Sequence, residues 1–131
     1  MKYLLFLSIL MISFSVSAQV RHNFDMAPEN TDCHLIKVED KTATQLLQEI
    51  RQRSFRFSQK IRISRYRVPH QLEYFSCDGE KGFILAMMKD GQYDVYAQVP
   101  KSEWEALIDA KDILEYYHNQ FTLHFTPVLT N

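Results

Sequence analysis

The stretch QLEYFSCDGEKGFILAMMKDGQYDVYAQVP, residues 71–100, decides the fold, because it reads as three strands joined by two short turns. The predicted strands cover residues 71–77, 83–88 and 92–99. The Asp90-Gly91 pair favours a tight hairpin, since both residue types tolerate the positive φ that such a turn needs. The second strand is apolar on both faces, which predicts a central position in an antiparallel β-meander with a cover on each side.

Amphipathic helices are predicted on both sides of this meander in the sequence. Apolar residues recur at helical spacing in 42–54, and Thr42 with Gln45 has the spacing of a capping box. A second capping box is predicted at Ser102, and Asp112 is expected to cap a short helix that follows. Residues 34–39 and 121–125 alternate like short strands.

Residues 51–67 hold seven cations and no acid, whereas residues 73–131 hold ten acids and four lysines. Apolar residues interleave the cations, which predicts a fourth strand with one basic face that slips register near Ser64 and Arg65. Two interpretations stay open: a solvated outer sheet face, or an attachment surface for an acidic partner. The fold class is α+β: an antiparallel sheet of about four strands, with an N-terminal helix and C-terminal helices packed on it.

The N-terminus has the three parts of an export signal. Lys2 precedes an apolar run over residues 3–14, and small residues near Ala18 mark a cleavage site. The run is shorter than the roughly 20 residues that cross a bilayer, so no stable membrane insertion is expected. We therefore expect a cleaved signal peptide at 1–18, a flexible polar arm at 19–33 and one domain at 34–131, in the periplasm or secreted.

Export also decides how the two cysteines are interpreted. Outside the cytoplasm an isolated cysteine pair is more often a structural disulfide than a redox or metal site. The sequence therefore predicts a bridge between Cys33 and Cys77, and neither residue belongs to a Cys-x-x-Cys motif.

Near the meander and after it, the sequence resembles the KTSC domain family, named for the C-terminus of some lysyl-tRNA synthetases. The resemblance covers about residues 72–125 and rests on Asp90-Gly91, Tyr96, Val99-Pro100, Leu107, Ala110, Tyr116-Tyr117 and Asn119. Family members have been suggested to bind RNA, and the family's Tyr-x-Tyr motif would supply a stacking platform for bases. Asp94 stands where the first aromatic belongs, so the platform is interrupted in this chain.

The sequence carries no motif that predicts catalysis. A His-Glu-x-x-His motif, a Gly-rich phosphate loop and a Gly-x-Ser-x-Gly motif are all missing, and the five histidines are scattered singly. We therefore expect neither an enzyme, nor a metal site, nor a cofactor. The near balance of 15 Lys+Arg and 16 Asp+Glu also lacks the basic excess of a dedicated nucleic-acid binder.

The remaining function class is a small exported interaction module, of the inhibitor or immunity type, that meets an acidic protein partner. The expected contact residues are exposed cations and tyrosines: Arg56, Lys60, Arg62, Arg65, Arg67, Tyr96 and Tyr116. The alternative, by family analogy, is a module that binds RNA. We expect Trp104 in the core, and we expect only one of the neighbouring tyrosines 116 and 117 to face outward.

Overall fold

A computed structural model of the chain describes residues 25–26 and 32–130, so the predicted signal peptide and most of the predicted arm lie outside the described residues. The described chain forms an antiparallel sheet whose strands lie side by side in chain order. The strands are β1 (Asp25–Met26), β2 (Phe57–Arg62), β3 (Gln71–Ser76), β4 (Lys81–Met87) and β5 (Tyr93–Pro100). Four of them have six to eight residues, and the two-residue β1 extends one edge. The predicted α+β meander is confirmed.

Helices precede and follow the sheet. They are α1 (Ala43–Gln52), α2 (Lys101–Asp109), α3 (Ile113–Tyr116), a π-helical turn (Tyr117–Phe121) and α4 (Thr122–His124). The capping box of Thr42 and Gln45 is present, and Asp112 accepts a hydrogen bond from the Glu115 amide, as predicted. The capping box at Ser102 is wrong, because α2 begins at Lys101, directly after the extended Pro100.

Each face of the sheet has its own hydrophobic core. On one face, α1 packs Leu46 and Ile50 against Leu85 of β4. On the other face, the C-terminal helices pack around Ile84 of the same strand, and the predicted core residue Trp104 is fully buried there. The alternation of neighbours 84 and 85 between the two cores confirms the central position of β4.

Three predicted strand segments differ from the structure. Residues 34–39 are not a strand, because a 3-10 helix (Cys33–Leu35) starts at the disulfide and Leu35 points into solvent. Residues 121–124 are helical and Phe125 is the extended residue that ends α4. Phe121 and Phe125 stack one turn apart, while Leu123 is exposed. The basic segment also stops being a strand at Arg62, where the chain turns into a loop.

The disulfide between Cys33 and Cys77 is confirmed. It joins the segment before α1 to the chain just after β3, with a Cα–Cα distance of 5.8 Å and 44 positions between the two residues. Cys33 is buried in the same core as α1. The bridge therefore fastens the start of the described domain to the sheet.

Candidate interaction surface

The seven cations of residues 51–67 separate into two groups. Arg51 donates two hydrogen bonds, of 2.9 and 2.6 Å, to the buried carboxylate of Glu73, and Arg53 contacts Asp32 at 3.4 Å. The guanidinium of Arg51 also lies over the ring of Tyr93 at 5.4 Å. Its hydrogen bonds to Glu73 raise the pKa of Arg51 above its ordinary value. These two arginines therefore join elements of the fold.

The other five cations are exposed, and we call them the cationic surface: Arg56, Lys60, Arg62, Arg65 and Arg67. Arg56 lies over the ring of Phe57 at 5.3 Å. The remaining four form no ion pair within the described part of the chain. Lys60 is directly opposite Glu73 in the β2–β3 ladder, but that carboxylate is already bound by Arg51.

The loop formed by residues 63–70, which we call the arginine loop, carries part of this surface. Its ends are closed by hydrogen bonds from the amides of Ile63 and Ser64 to the carbonyl of His70, at 2.9 and 3.3 Å. The His70 Nδ1 donates back to the Ser64 carbonyl at 3.0 Å. The loop is therefore held as a compact unit at the end of β2 and β3.

The tip of the arginine loop is ordered by two further groups. The Ser64 hydroxyl accepts hydrogen bonds from the amides of Tyr66 and Arg67, at 3.2 and 3.1 Å. From the C-terminal helical segment, His118 Nε2 donates to the Val68 carbonyl at 2.8 Å. These bonds fix the backbone while the side chains of the tip face solvent.

Tyr66 is the contact candidate that sequence reasoning missed. Its side chain is 93% exposed, and it stands between the exposed Arg65 and Arg67. A tyrosine interleaved with cations has the pattern of one more apolar strand position, so the alternation places Tyr66 in the predicted fourth strand. The signal that identifies it is Pro69 three residues later, because proline disfavours the interior of a sheet and points to a loop.

Tyr96 is not a contact residue, which corrects the sequence prediction. It is 2% exposed, and its hydroxyl lies 2.7 Å from the hydroxyl of Tyr117 beneath the C-terminal helices. Burial raises the pKa of both phenols. The sheet face that would present an aromatic platform is therefore covered, and the carboxyl of Asp94 on the same strand is partly buried, which raises its pKa.

Tyr116 is half-buried and packs against the core on the C-terminal side, while its neighbour Tyr117 is fully buried. The Tyr116 hydroxyl donates to a Glu103 carboxylate oxygen at 3.1 Å. Partial loss of water and this hydrogen bond raise the pKa of Tyr116. The Tyr116 hydroxyl is therefore engaged with α2.

Two shallow clefts border the arginine loop. The first, of about 490 Å³, is lined by Arg62, Arg65, His70 and Met87, among others. The second, of about 700 Å³, shares Arg65 and His70 with the first and includes Lys89 of the β4–β5 hairpin and His118. Both clefts beside the loop therefore carry cationic side chains.

Among the described residues, no helix has the length and apolar character needed to cross a bilayer. The same residues contain no cluster of three or more His, Cys, Asp or Glu side chains with the geometry to hold a metal ion. Comparisons of the chain with protein-family models, with curated proteins and with solved structures find no match.

Proposed function

We propose that this protein is an exported, non-enzymatic interaction module whose cationic surface binds an acidic protein partner. The observation that carries the proposal is Tyr66, 93% exposed between two exposed arginines on a hydrogen-bonded loop. Tyrosine and arginine are the residue types enriched among the side chains that dominate protein–protein binding energy. Because the tip of the loop presents a tyrosine and two arginines, we expect it to make the main contacts with a partner.

The arginine loop is already ordered, which favours binding, because little conformational entropy of the loop is lost when a partner associates. The Ser64 hydroxyl, which accepts from two backbone amides, and the donors His70 and His118 already hold the backbone of the loop. Preorganisation of this kind raises affinity by reducing the conformational entropy lost on association.

The charges favour an acidic partner. Lys60, Arg62, Arg65 and Arg67 have no carboxylate partner within the described chain, so their field extends into solvent. Clustered charges of one sign attract an opposite surface and speed association, and this effect weakens as salt increases. Within the cationic surface, we therefore assign steering to Lys60 and Arg62, and close contact to the loop arginines.

The non-enzymatic assignment is supported by where the strongest pKa shifts lie. Burial raises the pKa of Tyr74 to about 12 and that of Tyr117 still further, and both phenols are in the hydrophobic core. Perturbed groups at an active site face a cleft that substrate can enter. Here they face packed side chains, which is what structural burial produces.

Export is supported by the signal-like sequence at residues 1–18 and by the Cys33–Cys77 disulfide, since such bridges persist in oxidising compartments. The assignment of residues 34–131 to one domain and the resemblance to KTSC domains stay predictions. RNA binding, which the resemblance implies, would have to use the arginine loop, because Tyr96 is buried.

The test is affinity capture from a cell-envelope extract with the oxidised chain from residue 19 onward, with and without nuclease. We expect a stoichiometric, nuclease-insensitive protein to be retained, and the double substitution Arg62→Glu with Arg65→Glu to abolish its retention. Lys37→Glu with Lys111→Glu is the matched control, because both lysines are exposed and lie outside the cationic surface. Loss of all retained material after nuclease treatment would instead establish nucleic-acid binding.

A further inference from the structure

The second cleft beside the arginine loop brings together three cations and the histidine His118 from three separate elements. Arg65 and Arg67 come from the loop, Lys89 from the turn between β4 and β5, and His118 from the π-helical turn. The described residues that line the cleft include no carboxylate. The cleft is therefore a concave region of one charge sign, and such regions concentrate anions.

The walls of this cleft are connected to one another. The hydrogen bond from His118 to the Val68 carbonyl, at 2.8 Å, ties the loop to the C-terminal helical segment. The turn that carries Lys89 is closed by two backbone hydrogen bonds between Met88, Lys89 and Gln92. The cationic groups thus project from backbone that is already fixed, so little rearrangement is needed before an anion binds.

We propose that this cleft is a binding site for a phosphate monoester group. A phosphate monoester carries a charge of about −1.5 to −2 at pH 7, and arginine matches its oxygens with paired hydrogen bonds. Two arginines and a lysine around one cleft suit a dianion, whereas one carboxylate neutralises only a single cation. The ring of Tyr66 and the side chain of Val68 at the rim supply apolar surface for the group that carries the phosphate.

This site goes beyond the proposed partner surface. It uses Lys89 and His118, which lie outside the five residues of the cationic surface, and its ligand is a small anionic group. Lys89 is exposed on a turn, so its substitution leaves the cores untouched. Lys89→Gln therefore reports on the cleft alone. Arg62→Glu with Arg65→Glu changes the partner surface and also one lining residue of the cleft, Arg65, so Arg62→Glu by itself is the variant that reports on partner binding alone.

The first experiment is an amide NMR titration of the oxidised chain from residue 19 onward, at pH 7 and low salt, with inorganic phosphate, glucose 6-phosphate and glucose. We expect saturable shifts at the loop and at Lys89 with both phosphates, a Kd on the order of 1 mM, and no shifts with glucose. Lys89→Gln should weaken binding about threefold and its combination with Arg67→Gln about tenfold. The control pair Lys37→Gln and Lys111→Gln should leave the Kd unchanged.

A second arm distinguishes a free phosphorylated compound from a lipid headgroup. Vesicles of phosphatidylcholine with phosphatidic acid, a monoester, are compared with vesicles that hold the same fraction of phosphatidylglycerol, a diester. Preferred, Lys89-dependent binding to phosphatidic acid supports the site and assigns it to a lipid headgroup. Binding of glucose 6-phosphate without vesicle binding supports the site and assigns it to a free compound.

Three results would overturn the site: shifts that do not saturate, shifts that spread to Lys37 and Lys111, or a Kd that Lys89→Gln with Arg67→Gln changes by less than twofold. None of them bears on partner retention. Loss of retention in Arg62→Glu with Arg65→Glu would still support the proposed function if phosphate failed to bind. Phosphate binding that depends on Lys89 would likewise survive the failure to find a protein partner.

Discussion

Three buried phenols make the stability of this fold sensitive to alkaline pH. Tyr74, Tyr96 and Tyr117 lie in one core, and burial raises the pKa of all three. Tyr74 is the clearest case: it has no exposed surface, its hydroxyl donates to the Val99 carbonyl at 3.0 Å, and its pKa is raised to about 12. Raising the pH therefore destabilises the core between the sheet and the C-terminal helices, where these phenols lie.

The sign of the effect follows from proton binding. An unfolded tyrosine loses its proton near pH 10, whereas folded Tyr74 keeps it to about pH 12. Between pH 10 and 12 the unfolded state releases this proton more readily than the folded state, so the stabilisation from the raised pKa is complete below pH 10 and is lost as the pH rises to 12. The full shift corresponds to roughly 3 kcal/mol, of which about 1.4 kcal/mol is lost by pH 11. Tyr96 and Tyr117 act in the same direction.

Urea unfolding at pH 8, 9, 10 and 11, followed by the fluorescence of the single tryptophan, Trp104, measures this loss. Tyr74→Phe removes one hydrogen bond and should cost about 1 kcal/mol at pH 8. The free energy of unfolding should fall between pH 9 and 11 in both chains. The fall should be about 1.3 kcal/mol smaller in the variant than in the parent chain, because the variant lacks one titrating phenol. Equal alkaline losses in the two chains would refute the assignment of this sensitivity to Tyr74.

Three further predictions concern stability, and each is measured by urea unfolding at pH 7. The Cys33–Cys77 bridge closes a loop with a sequence separation of 44. In the chain-entropy model its reduction should therefore lower the free energy of unfolding by roughly 4 kcal/mol. A loss below about 1 kcal/mol would contradict this. Glu73→Gln should cost about 1 to 3 kcal/mol, since it breaks a two-bond contact with Arg51 at a carboxylate that is almost fully buried, and an unchanged midpoint would show that the pair is neutral to folding. Gly82→Ala should cost about 1 to 3 kcal/mol, because a Cβ there would collide with the backbone of the neighbouring strand β3; full tolerance would mean that the strands can move apart.

The parts of the fold that the sequence predicts well depend on local signals. The Asp90-Gly91 turn has positive φ at both residues, as the dipeptide indicates, and the α1 capping box needs only residues 42 and 45. The disulfide followed from compartment and cysteine count. In each case the residues that decide the structure are close in sequence or are the only pair of their kind.

The arginine loop could not be derived in the same way, because a distant residue helps to fix it. The hydrogen bond from His118 to Val68 spans 50 positions, and nothing near Val68 in the sequence announces it. The apolar and basic alternation of β2 also continues into the loop through Ile63, so periodicity alone extends the strand. Periodicity therefore misses the loop, although Pro69 marks a local end to the sheet pattern. The bonds of Ser64 within the loop and the long-range bond from His118 together fix the tip that presents Tyr66 to solvent.

The misplacement of Tyr96 has a different physical cause. In a regular strand Asp94, Tyr96 and Gln98 would share one face, and its polar members favour exposure to solvent. In the structure Gln98 has a φ of +57°, and the β4–β5 register shifts near Gly82. This irregularity brings Val99 into the same core as Tyr96, so the face becomes apolar and accepts the C-terminal helices.

The ion pairs distinguish the cations that join elements of the fold from the cations that have no ion-pair partner among the described residues. Glu73 faces Lys60 across the β2–β3 ladder, yet its carboxylate binds Arg51 and so ties α1 to the sheet. Lys60 and the loop arginines gain no such contact, and as neighbours of like charge they repel one another. In the part of the chain that the structure describes, they form no ion pair that would offset this repulsion. An anionic ligand would lower their electrostatic energy, and this is the physical basis on which we propose the arginine loop and its flanking clefts as binding surfaces.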